Sequence, residues 1–344
     1  MLKETGMAAL NLTMTDRVCR TEYSVLGHSE LIRRVTGLEP SPEATRAFCR
    51  AWDICLQWSI RVNKDFLGSY VTDMGHAVYA EGGTDFREAK PSPFADEESV
   101  YAFDPLEGLP FYAHEAIVEQ FNAHYDANCE AIPDLVNMTG IYITCMSGLI
   151  DMLGWDLLLT SAAVDSKAFG AFTDRYAQWM ERFFTALAAS KAPVVMIHDD
   201  IVWTEGPFLS PAWYRAHIFP NYKRCFRPLL EAGKKILYTS DGNYSAFIDD
   251  IAETGVHGFV LEPTTDMGYI AERYGRTHAF VGNADTRVQL LGSREDIYRE
   301  VKRCMDIGRA CPGFIMAVGN HIPANTPVDS CLYYDEFCKE LGRR

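Results

Sequence analysis

Four segments decide the fold of this chain: ILYTSDGN (Ile236–Asn243), GFVLEP (Gly258–Pro263), HAFVGNAD (His278–Asp285) and GFIMAVGNHIP (Gly313–Pro323). A fifth of the same kind, APVVMIHDD (Ala192–Asp200), precedes them. Each is a short run of Val, Ile, Leu and Phe that breaks into a small polar cluster. Runs of this length are short for a helix and suit a strand buried on both faces. Helix-like segments separate them, so the order strand–helix–strand–helix implies a parallel sheet. The polar residues always fall at the C-terminal end of the strand, where a (β/α)8 barrel carries its active site.

Working outward, strands are expected at Arg17–Ser24, Phe66–Met74 and Gly140–Met146. With the five above, this gives the count of a (β/α)8 TIM barrel, although a doubly wound sheet produces a similar string. Residues 1–344 read as a single barrel domain with an N-terminal helical extension. The Pro-, Gly- and acid-rich stretch Glu81–Pro110 reads as a long excursion after the second strand. Helix starts are signalled by Ser210-Pro211, by Ser293 with Asp296 as a capping box, and by Thr326-Pro327. Gly233 and Gly308 sit where helices should end.

A net charge of −15 with no basic stripe argues against nucleic acid or an anionic membrane as partner. No apolar run has the length of a signal peptide or a membrane span, and ten cysteines without a secretory signal suit the reducing cytoplasm. None of the cysteines forms a CxxC pair, and they are expected to serve as small core residues.

With the strands so placed, the barrel mouth collects Glu22, Asp73, His76, His198, Asp199, Asp200, Tyr238, Asp241, Glu262, Asn283, Asp285, Asn320 and His321. Asp199 and Asp285 could equally be helix caps, because Asp at a strand-to-helix turn often is. His76 and His321 stand out, each in a Gly-containing turn after an expected strand. Aromatic residues crowd the same ends, among them Tyr70, Trp155, Trp203, Tyr238 and Tyr244. Packing accounts for some, and the remainder suit a flat, apolar substrate.

The string HDDIVWTEGPFLSPAWYRAHIFPNYKR, the Asp-Gly turn of YTSDGN, the GNAD turn and the GNHIPANTP close resemble the uroporphyrinogen decarboxylase superfamily, whose fold is a (β/α)8 barrel. The resemblance separates the branches. Decarboxylases carry an N-terminal Arg-Gln-Ala-Gly-Arg segment that grips propionates, and DRVCRTEYSVLGHSEL keeps only Arg20 of it. Thiol-methylating members bind zinc through His-x-Cys and a later Cys, where this chain has Thr239, Asp241 and Asn320. NLTMTDRVCRTEYS, TDMGHAVYAEGGTDF and VYAFDPLE are instead similar to the substrate-side methyltransferases of anaerobic O-demethylase systems.

That branch implies transfer of methyl from an aryl methyl ether to the Co(I) of a separate corrinoid protein, which brings the nucleophile. The alternative is a decarboxylase or lyase, and a third is a silent binding barrel. The chain's own task would be to stabilise charge on the departing phenolate by a protonated His, a neutral carboxylic acid or a bound metal. The preferred set is Asp241, His321 and His76, with Asp199 and Asp200 beside them. Such oxygen and nitrogen donors suit zinc as well as proton transfer, and the choice stays open. Trp203, Tyr238 and Tyr70 are the expected ring contacts, with Glu22, Asn283, Asn320 and Glu262 as polar anchors. The partners implied are the corrinoid protein and a small methoxylated aromatic, and a homodimer is compatible. Asp241 and His321 are expected to face one another across the mouth.

Overall fold

The computed structural model describes residues 2–74 and 90–344. In chain order the strands are β1 (Cys19–Arg20), β2 (Leu56–Gln57), β3 (Val136–Asn137), β4 (Thr139–Ile141), β5 (Val194–His198), β6 (Val202–Trp203), β7 (Gly206–Pro207), β8 (Lys235–Thr239), β9 (Gly258–Val260), β10 (Ala279–Val281) and β11 (Phe314–Met316). Two compact units share them: Met1–Trp58, Asp126–Met138 and His257–Arg344 form one, and Ser59–Tyr125 with Thr139–Val256 form the other. In the first unit β1 runs parallel beside β11, β11 beside β10, β10 beside β9, and β2 beside β3. In the second, β4, β5 and β8 lie parallel in that order. Helices alternate with these strands, and the fold is the α/β class of the (β/α)8 barrel.

The register explains why the strand segments are so uniformly apolar. Cys19 and Val281 both stand opposite Ile315, and Val281 stands opposite Val260, so one row of buried side chains crosses four strands. Ile141, Ile197 and Tyr238 form a corresponding row in the second unit. The second row packs towards the helices, since its Tyr238 meets Tyr222 of the helix Phe219–Glu231. In the second unit the 24-residue helix Ser166–Ala189 opens on Asp165, whose carboxylate accepts from the Lys167 and Ala168 amides. Its buried Phe169, Phe172, Tyr176, Trp179 and Phe183 recur at three- and four-residue spacing, which puts them on one stripe. Phe184 meets Phe226 of the helix Phe219–Glu231, with ring centroids 5.8 Å apart.

Several expected boundaries move: Arg17–Ser24 shortens to Cys19–Arg20, and Gly140–Met146 becomes Thr139–Ile141. The second strand is Leu56–Gln57, not Phe66–Met74. The Lys64–Leu67 segment winds into a 3-10 turn capped by Asn63 and ends at Gly68 with φ 65°, which an extended strand cannot accommodate. The expected helix from Pro211 to Gly233 breaks at Ile218 into Pro211–His217 and Phe219–Glu231, since Pro220 lacks an amide to continue the ladder. Two of the three start signals hold: Ser210 accepts from Trp213 N, and Ser293 with Asp296 forms a reciprocal capping box, whereas the last helix begins at Val328 with Pro327 as its cap and no side-chain cap bond. Ser293→Ala should therefore cost about 1 kcal/mol of stability in a denaturant titration.

All ten cysteines are free, and nine are buried. Burial pushes the thiols of Cys49, Cys225 and Cys331 up to about 12, which keeps them uncharged and unreactive. Among the described residues no single helix is long and apolar enough to cross a membrane. The pair Ser147–Leu153 and Trp155–Val164 has the combined length but is bent by 104°, and every residue of its first helix is buried.

Candidate functional site

The polar end of β5 and the turn after β8 bring together a histidine and two carboxylates. His198 Nε2 lies 2.7 Å from Asp200 Oδ1, and the Asp241 amide donates to the same oxygen at 2.9 Å. The ligand-type atoms of His198, Asp200 and Asp241 all lie within 4.8 Å of one another. Three features of the local sequence hold this geometry. The His198 ring stacks on Tyr142 with centroids 4.1 Å apart. The His198 carbonyl accepts from the Thr144 hydroxyl. The Asp200 amide donates to Ser147 Oγ at 2.8 Å. Burial alone would pull the His198 imidazolium down. Asp200, aided by Asp241 and Asp199, outweighs it, and the net shift is upward.

An antiparallel hairpin of β6 and β7 lies against the Asp241 turn. Asn243 N donates to the Trp203 carbonyl at 2.9 Å. Gly242, at φ 80°, makes that approach possible, because a Cβ there would sit 2.6 Å from the same carbonyl oxygen. Gly242→Ala should accordingly cost about 1–3 kcal/mol and displace the hairpin, read as a lowered melting temperature together with a change in Trp203 fluorescence. Trp203 itself is 47 % exposed and clusters with Trp155 and Phe208, with ring centroids 5.2 to 5.5 Å apart. That exposure fits it for a flat ring.

Asp199 has another task. Its carboxylate is fully buried and accepts from the Met146 and Ser147 amides at 2.8 and 2.6 Å and from Tyr222 Oη at 2.5 Å. It caps the helix Ser147–Leu153, so the catalytic role expected for it gives way to the cap. Tyr238 is corrected likewise. Sealed between Tyr222 and Tyr244, its hydroxyl donating to the Asp199 carbonyl at 3.2 Å, its ring has no face left for a substrate. Tyr70 is half-buried against Phe94 and Phe103.

In the first unit, Glu22 is not a substrate anchor. It is buried, bound to Arg20 Nε at 2.9 Å, and its other oxygen accepts from Val318 N at 3.1 Å. Arg20 in turn reaches Asp335 at 2.5 Å and lies between the rings of Trp52 and Tyr334. Asn283 is buried as well, its amide donating to the Glu262 and Thr265 carbonyls while its oxygen accepts from Arg303. It staples two loops. Asp285 takes the cap reading, accepting from the Arg287 amide at 2.9 Å and pairing with the Arg287 guanidinium. Asn320, Glu262 and His321 stay together: Asn320 Nδ2 donates to the Glu262 carboxylate, and Asn320 Oδ1 accepts from His321 N at 2.8 Å. His76 lies outside the described residues.

Asp151 escapes sequence reasoning, being a lone acid in the apolar run SGLIDML. Burial raises its carboxyl to about 7, with Lys64 opposing the shift and Asp200 adding to it. Its unfolded value lies near ~4, so between about 4 and about 7 the folded chain holds a proton that the unfolded chain has lost. Stability should fall as pH rises through that window. Asp151→Asn should flatten the slope in denaturant titrations at pH 5 and pH 8, and an unchanged slope contradicts the assignment.

A family model described as Uroporphyrinogen decarboxylase (URO-D) matches residues 127–341, well over half of the chain. The chain belongs to the uroporphyrinogen decarboxylase family. It is 26 % identical over 257 residues to a uroporphyrinogen decarboxylase from Thermus thermophilus, covering 73 % of this chain and 71 % of that one. It is 28 % identical over 262 residues to the chloroplastic uroporphyrinogen decarboxylase 2 of Arabidopsis thaliana, covering 73 % and 62 %. Among solved structures, a methyltransferase from Methanosarcina mazei aligns over 98 % of both chains with a TM-score of 0.65 and 17 % identity. At that identity the likeness is one of fold.

Proposed function

We propose that this chain is the substrate-side methyltransferase of a corrinoid-dependent O-demethylase system, acting in the cytoplasm on a methoxylated aromatic and passing the methyl group to the Co(I) of a separate corrinoid protein. The observation that carries this reading is the His198–Asp200–Asp241 cluster beneath an exposed Trp203 hairpin. A cluster with two carboxylates repels a polycarboxylate and accepts a neutral ring, while Trp203 offers it an apolar face. The single arginine retained from the propionate-gripping segment, Arg20, is only 3 % exposed and engaged by Glu22 and Asp335.

His198, Asp200 and Asp241 also fit a divalent metal. One nitrogen and two carboxylate donors within 4.8 Å of one another are of the kinds that zinc takes. Such an ion, when bound, supplies Lewis acidity at the ether oxygen. Each ligand has its own support: Tyr142 fixes the His198 ring plane, Ser147 fixes the Asp200 backbone, and Gly242 lets the Asp241 turn lie under the hairpin. In the first unit, His321 remains a proposed catalytic residue, its loop held by Asn320 and Glu262.

The names of the curated relatives favour a second reading, decarboxylation of a tetrapyrrole. Titration separates the two. Guaiacol-like methoxyarenes should quench Trp203 fluorescence saturably, with no quenching by uroporphyrinogen. Tight uroporphyrinogen binding, with none for methoxyarenes, would return the chain to the decarboxylases.

A further inference from the structure

Strand β8 ends on Thr239, which stands opposite His198 in the ladder with β5. Paired residues of a parallel ladder share a face of the sheet, and successive residues alternate between faces. Tyr238 turns to the helix Phe219–Glu231, where its ring meets Tyr222. Thr239 and His198 therefore lie on the other face. Burial separates the two faces. Val195, Ile197, Ile236 and Tyr238, on the helix side, are wholly buried. On the other side Leu237 is too, but Met196, His198 and Thr239 keep 8, 4 and 7 % of their surface exposed. The face that retains some exposure is the one that carries His198 of the cluster.

The backbone of Thr239 is held, its carbonyl accepting from the Asp199 amide at 2.9 Å. Its hydroxyl is not: Thr239 Oγ1 is buried and has no hydrogen-bond partner among the described residues. The neighbouring hydroxyls are all engaged. Thr144 donates to the His198 carbonyl, Ser147 accepts from the Asp200 amide, and Ser240 donates to the Asp241 carbonyl. A buried hydroxyl without a partner costs stability, and valine would keep the branched shape at this strand position without that cost. An unsatisfied polar atom of this kind calls for a reason, and here it stands beside the cluster.

We propose that Thr239 is a substrate-binding residue: its hydroxyl takes a hydrogen bond from, or gives one to, an oxygen substituent of the aromatic ring beside the methoxy group that the His198–Asp200–Asp241 cluster addresses. This rests on the reading of the site given above. Thr239 and His198 belong to adjacent strands, about 4.8 Å apart, so one ring with two neighbouring oxygens reaches both. The ligand class is thus a methoxyarene with a second oxygen next to the first. A ring lacking that oxygen leaves the hydroxyl unpaired and is discriminated against.

Calorimetric titration of guaiacol, which carries a hydroxyl beside its methoxy group, and of anisole, which does not, tests this without turnover. The parent should bind guaiacol about 10- to 100-fold more tightly than anisole. In Thr239→Val the preference should fall below about three-fold, through weaker guaiacol binding with anisole binding unchanged, and the melting temperature should equal or exceed that of the parent. Thr239→Ser, which keeps the hydroxyl, should keep most of the preference. A parent without preference, or a preference that survives in Thr239→Val, overturns the inference and leaves the functional reading standing. So does a Thr239→Val protein that melts lower and loses both ligands alike, since that is a structural role. A parent that binds neither methoxyarene but does bind uroporphyrinogen overturns the functional reading, and the inference falls with it.

Discussion

Asp200→Ala is expected to lower turnover by about 100-fold or more while leaving the fold intact. One carboxylate oxygen serves two neighbours, accepting from His198 Nε2 at 2.7 Å and from the Asp241 amide at 2.9 Å. Its loss strips the buried His198 of its acceptor and unpins the turn that carries Asp241. It also removes one of the three ligand-type groups. The fold should survive, because the Asp200 side chain is about one-fifth exposed and its amide bond to Ser147 Oγ needs no side chain. Asp200→Asn keeps an oxygen acceptor but not the charge, so its activity should lie between parent and Ala. Steady-state kinetics with thermal melts check this. Near-parental kcat in Asp200→Ala would remove the cluster from the mechanism.

The second large effect is on stability. Glu22→Ala should cost about 3–5 kcal/mol, the usual penalty for leaving a buried charge without its partner. Arg20 and Glu22 are both buried, and Arg20 would retain Asp335, the Trp52 carbonyl and the faces of Trp52 and Tyr334 but no second carboxylate. The Val318 amide, next to β11, would lose its acceptor too. Burial raises the Glu22 carboxyl while Arg20 pulls it down, and the net shift is upward. The pair is therefore expensive to desolvate, and breaking it costs more than its formation stabilises. Denaturant titration measures this directly. A loss below about 1 kcal/mol would mean that Arg20 finds other partners, and Glu22 would again be available to substrate.

The strand rhythm was legible because β5 and β8 to β11 are buried on both faces, and burial on both faces writes itself as continuous apolar runs. β2 was not legible. Two residues of ladder between Cys55 and Trp58 leave no periodicity to read, whereas FLGSYV looks extended until Gly68 turns it. In the site, the sequence located the Asp-rich strand ends but not the direction of their side chains. In HDD, alternation along β5 carries His198 and Asp200 to one place, and Asp199 between them turns to the buried amides of Met146 and Ser147. Tyr238 fails for the same reason, since strand parity sends its ring towards the helix Phe219–Glu231. Glu22 and Asn283 were misread because a polar residue at a strand end can serve the loops as readily as a ligand.

On the proposed function, this barrel delivers methyl groups to an external cobalt nucleophile. That is tested most directly by mixing the protein with a reduced corrinoid carrier and a panel of methoxylated aromatics while the cobalt spectrum is followed. Conversion of the Co(I) spectrum to that of methylcobalt, with stoichiometric release of phenol and no release when either carrier or protein is left out, is the result expected. Phenol release by the isolated protein, or an unchanged Co(I) spectrum across the panel with carboxyl loss from uroporphyrinogen in its place, would contradict it.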